Sequence, residues 1–187
     1  MTRLPLFFAA ILTATSTMAA ASETRHADAH EHGHGQLTVA IEGETVEMEL
    51  EIPGMDIVGF EHQPETAAQH EAFDAGKAKL AQGGALFSVT GEAGCDFKEA
   101  HFLKHEDEDH DHDKKSEAAN HDEEHEEHME FHVSYQFSCK DTDKISGFAF
   151  PFFKQFPNSE ELDVQIVSSK GQFQFEVSSG EPSLTLD

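Results

Sequence analysis

The chain has no tryptophan, one tyrosine, two cysteines, and only twelve lysines and arginines against thirty-seven aspartates and glutamates. Each shortage closes off a class of function. A formal net charge of −25 repels phosphate backbones and anionic lipid and attracts divalent cations, which excludes nucleic acid as a partner. The cysteines are not spaced as Cys-x-x-Cys, which argues against a dithiol redox centre; once paired they leave no thiol nucleophile. Gly-x-Ser-x-Gly and a phosphate loop are both missing, so the sequence does not read as an enzyme. No apolar run reaches the roughly 20 residues that a helix needs to cross a bilayer about 30 Å thick, so no membrane insertion is expected of the mature chain.

What is present begins with a leader. Met1-Thr2-Arg3 carries one positive charge, Leu4 to Ala14 is apolar except for Pro5 and Thr13, and Ala19-Ala20-Ala21 is a run of small residues. Residues 1–21 therefore read as a signal peptide, with export to the periplasm of a Gram-negative cell. Cleavage after Ala21 removes Arg3 and leaves 37 acids against 11 bases, a net charge of −26. No cysteine follows that would take a lipid anchor. In an oxidising compartment Cys95 and Cys139 read as a disulfide, worth about 4 kcal/mol in the loop-entropy description. The disulfide is expected to pin the base of the segment between them.

That segment carries the main chemical signal. From His105 to Glu130 there are six histidines and thirteen acids, against Lys114 and Lys115 alone. Such a composition cannot pack a core, and imidazole with auxiliary carboxylates suits Zn²⁺, Cu²⁺ and Ni²⁺. Residues 105–128 are read as a disordered metal-binding insertion, with His105, His110, His112, His121, His125 and His128 as ligands. If helical, His121, His125, His128 and His132 would share one face; His132, however, falls in a strand pattern. His121-Asp122-Glu123-Glu124-His125 has zincin histidine spacing but places Asp where that motif needs Glu.

A second histidine group, His30, His32 and His34, closes a leader segment over 22–35 and runs straight into a strand. An ordered site would combine one or two of these with His62, or with His101 and His132 near the base of the insertion. Zinc takes four ligands in a structural role, or three and an open position in an exchangeable one. Composition ranks copper above zinc. His70 is expected to face solvent.

Residues 36–187 read as one α+β domain, mainly antiparallel sheet with one packed helix, the insertion lying between two adjacent strands. Leu37, Val39 and Ile41, then Val46, Met48, Leu50 and Ile52, alternate around Glu42-Gly43-Glu44-Thr45 as a hairpin with an acidic outer face. A helix is expected from about Pro64 to Gln82, strands over Cys95 to Leu103 and from Met129, an aromatic cluster at Phe148 to Phe156, and a second hairpin around Ser168 to Gly171. Leu184 and Leu186 suggest a last edge segment.

The segments Pro53-Gly54-Met55-Asp56-Ile57-Val58-Gly59-Phe60-Glu61-His62-Gln63-Pro64 and His32-Gly33-His34-Gly35-Gln36-Leu37, with the cysteine pair around a histidine-acidic insertion, resemble the ZrgA-like family of zinc-regulated periplasmic proteins, formerly a domain of unknown function. The resemblance covers nearly the whole mature chain. It implies a periplasmic protein that captures zinc and supports its uptake or transfer to an envelope transporter of the ABC type. It carries no catalytic residues over, and only His62 and the histidine-rich regions transfer as ligands, with Glu61 as a neighbour of His62. An adaptor or sensor module of a transporter is the alternative; a zinc-dependent hydrolase, or copper or nickel sequestration, ranks lower.

Overall fold

A computed structural model describes residues 31–103 and 128–186. The expected leader over 1–21, most of the 22–35 segment with His30, and the insertion histidines His105, His110, His112, His121 and His125 lie outside the described residues.

Strict alternation over β1 (His34–Glu42) and β2 (Thr45–Pro53) buries Leu37, Val39, Val46, Met48, Leu50 and Ile52 and leaves Glu47, Glu49 and Glu51 in water. Gly43, at a φ of +58°, makes the tight turn between them. Pro53 ends β2, and the next residues form a short helix, α1 (Gly54–Val58). The long helix α2 (Ala67–Leu80) starts after Pro64, not at it. Thr66 and Gln69 form a reciprocal capping box there, satisfying backbone N–H groups the helix itself leaves unpaired. There follow α3 (Gly83–Leu86), β3 (Ser88–Gly91), β4 (Asp96–Phe102), β5 (Glu130–Ser138), β6 (Ile145–Ala149), α4 (Phe152–Gln155), β7 (Glu161–Ser168), β8 (Gly171–Ser178) and β9 (Ser183–Thr185).

The expected α+β, mainly antiparallel architecture holds. It is divided into a six-stranded sheet, β4-β5-β2-β1-β7-β8, and a smaller one, β3-β6-β9. The tail segment at Leu184 is an edge strand, as expected, paired with β6 in the second sheet. One pairing is parallel: β1 lies beside β7, His34 opposite Glu161 and Leu37 opposite Val164. Alternation fixes which residues of a strand point inward, not which strand it meets. The inner face of the large sheet packs on an aromatic layer, where Phe87 touches Tyr135 of β5 on one side and stacks on Phe152 of α4 on the other. Each such fully buried phenylalanine contributes about 1.5–3 kcal/mol by removing apolar surface from water.

The disulfide Cys95–Cys139 is present. Its place corrects the expectation that it pins the base of the insertion. Asp96 pairs with Ser138 and Phe102 with Val133, so the cysteines tie the far ends of the β4/β5 pair, about 25 Å of strand away from where the insertion leaves. The base is held by backbone hydrogen bonds instead: Leu103 N–H to His132 O at 2.9 Å, Met129 N–H to Glu61 O at 2.6 Å, and Gly54 N–H to Met129 O at 2.7 Å.

Candidate metal site

Gly33 is the local cause of the site. Its φ of +86° lies in the left-handed region, and a Cβ there would come within 3.3 Å of Glu160 Cγ. The Gly33 N–H donates to Asp56 Oδ1 at 2.9 Å, and its carbonyl accepts from the N–H groups of Glu160 and Glu161. The chain entering β1 is thereby clamped between α1 and the start of β7, which fixes the histidines on either side.

His32 meets Glu61, Nε2 to Oε1 at 2.8 Å, while His128, at the C-terminal base of the insertion, meets the other oxygen of the same carboxylate, Nδ1 to Oε2 at 2.9 Å. Glu61 is positioned by its own backbone, which accepts from Met129, and by the left-handed Gly59 that ends α1. The side chain of Glu61 is 13 % exposed, those of His32 and His128 57 % and 55 %, so a sheltered carboxylate faces two imidazoles open to solvent. Two imidazoles from distant segments thus meet the two oxygens of one carboxylate, and all three side chains are of types that zinc accepts as ligands.

Asp56 lies behind this group, almost fully buried. Burial pushes its carboxyl above the usual range, and the Gly33 N–H and the nearby His32 partly offset that. Among the described residues, Asp56 Oδ2 has no hydrogen-bond partner.

The other described histidines stand apart from this group. His62 stacks on Phe60, with Nδ1 at 2.8 Å from Gln63 O and Nε2 at 3.3 Å from Gln69 Nε2, so its contacts are local. Glu61 is therefore the partner of His32 and His128, not of its neighbour His62. His34 lies 3.4 Å from Glu161, and His101 3.3 Å from Glu99 on β4. His132 sits on the outer face of β5 between Glu130, at 2.7 Å, and Glu51, at 3.8 Å. The hydrogen bond to Glu130 raises its pKa above that of free imidazole, against the opposing effect of partial burial. His70 is exposed on α2, as expected.

Sequence reasoning passed over Asp56 and the group Glu161, Asp163 and Glu176, whose carboxylate oxygens lie within 4.8 Å of one another. The signal for that group was weak. Asp163 and Glu176 are outward positions of alternating strands, and only the β7/β8 register sets them opposite each other.

A family model described as "ZrgA family zinc uptake protein" matches residues 29–186. No curated protein matches the chain. The match spans most of the sequence and both segments that carried the resemblance, so the chain belongs to the ZrgA family of zinc uptake proteins.

Proposed function

We propose that this member of the zinc uptake family captures zinc in the periplasm and passes it to an envelope transporter of the ABC type. In this reading the insertion gathers ions in number, and a site built from His32, Glu61 and His128 holds one of them. The observation that carries it is the convergence of those three residues at the base of the histidine-rich insertion. His128 belongs to both parts: it ends the run of insertion histidines and touches the fixed carboxylate.

The chemistry follows from the donors. His32 and His128 each direct a ring N–H at Glu61; zinc would bind through those nitrogens, the proton of a neutral ring moving to its other nitrogen, and because an imidazolium must first lose a proton, capture weakens in acid. Three protein donors leave one position open, which suits an ion that must be handed on. The acidic insertion raises the local cation concentration, an effect that salt screens. Nitrogen and oxygen donors alone would favour copper; the family's description as a zinc uptake protein supports zinc as the cargo.

The test is zinc calorimetry on the mature chain and on a variant lacking Glu106 to Glu127. A tight ion that survives the deletion, with a lower total stoichiometry, supports a fixed site served by an antenna. Loss of all tight binding would place the function in the insertion alone.

A further inference from the structure

Asp56 has no part in the donor set described above, yet its surroundings are unusual for a carboxylate. It is 2 % exposed, and among the described residues only one of its two oxygens has a partner, the Gly33 N–H. A buried carboxylate with an unmet oxygen costs stability, and proteins retain such a group where a ligand compensates it. The side chains placed to interact with it are the imidazoles of His32 and His34, which flank the glycine it holds, and the carboxyl of Glu61. A second polar atom is similar: Ser159 Oγ is buried with no hydrogen-bond partner among the described residues, one residue before Glu160, whose N–H the Gly33 carbonyl accepts. Two unmet oxygens thus belong to the segments that clamp Gly33 from either side.

Building on the zinc reading of the His32, Glu61 and His128 site, we infer that Asp56 is its positioning residue and buried counter-charge: one oxygen fixes the His32-Gly33-His34 segment, and the unmet oxygen supplies negative charge that a captured cation satisfies. The arrangement biases the metal-free chain toward binding. Asp56 and Glu61 together set two carboxyl groups beside His32, an acidic surrounding that a divalent ion offsets more fully than a monovalent one.

The test compares Asp56→Asn, Asp56→Ala and His128→Ala in the full chain. Two quantities are read: the affinity of the tightest zinc ion, by competition with a chelating indicator, and the thermal midpoint of the metal-free protein. Asn keeps an oxygen for the Gly33 N–H and removes the charge. D56N is expected to weaken the tightest zinc about 10- to 100-fold, the range for groups that support metal ligands, with a metal-free midpoint equal to or above that of the parent. D56A, which also loses the Gly33 contact, is expected to lower both. Unchanged zinc affinity in D56N overturns the inference. So does a D56N midpoint that falls together with affinity, because Asp56 would then be a structural acceptor only. Failure of the underlying site shows separately, as parental affinity in His128→Ala.

Discussion

Replacing both cysteines by serine separates stability from metal binding more cleanly than any other change. The disulfide closes a separation of 44 residues. Restricting a loop of that length in the unfolded chain contributes about 4 kcal/mol in the loop-entropy description. For a domain of this size each kcal/mol moves the thermal midpoint by about 2–4 °C, so C95S/C139S is expected to melt about 8–16 °C lower. The same description gives a second figure. Deleting Glu106 to Glu127 halves the loop and reduces the disulfide's contribution by about 0.6 kcal/mol, so the serine variant should lose slightly less in the deleted background. Zinc affinity, by contrast, should not change, because the cysteines sit at the opposite end of the β4/β5 pair from His128. Urea unfolding of the four chains with a zinc titration of each is the assay. A serine variant as stable as the parent would refute the entropic argument. One that folds but loses its tight zinc would refute the claim that backbone hydrogen bonds, and not the disulfide, hold the base of the insertion.

Gly33→Ala puts a side chain into a left-handed conformation beside Glu160 and is expected to cost about 1–2 kcal/mol in urea unfolding, with weaker tight zinc binding because His32 shifts. His132 has a folded pKa raised by Glu130, so its contribution to stability is complete below the unfolded value of 6.5 and is lost as pH rises through the folded value. Glu130→Gln should therefore flatten the fall in metal-free melting temperature above about pH 6.5, and an unchanged slope would remove that pairing from the account. Total zinc uptake should drop between about pH 7.5 and pH 5 as imidazoles protonate, and equal uptake at both would rule out imidazole ligation.

Much of the fold was legible because alternation is a local signal. The β1/β2 hairpin, β5 and the β7/β8 hairpin each declared an inner and an outer face through apolar residues two apart. Their partners were not legible: nothing in His34–Glu42 or Glu161–Ser168 marks the parallel pairing that sets His34 opposite Glu161, since it depends on the whole chain between them. The candidate site shows the same division. Its histidines were named from composition, and the two segments that carry the resemblance proved to touch each other. That Glu61 serves His32 and His128 rather than adjacent His62 follows from the Gly33 clamp and the Met129 to Glu61 backbone bond, both long-range. Asp56 was unmarked because α1 was unmarked: five residues between a proline and a glycine offer no periodicity to read.

The central claim is that the folded domain, and not the insertion alone, holds a zinc ion through His32, Glu61 and His128. A chelator-competition zinc titration of the full chain beside His32→Ala/His128→Ala tests it most directly. The account predicts that the tightest ion disappears while the weaker ions gathered by the insertion remain. Retention of the tightest ion at parental affinity would contradict it.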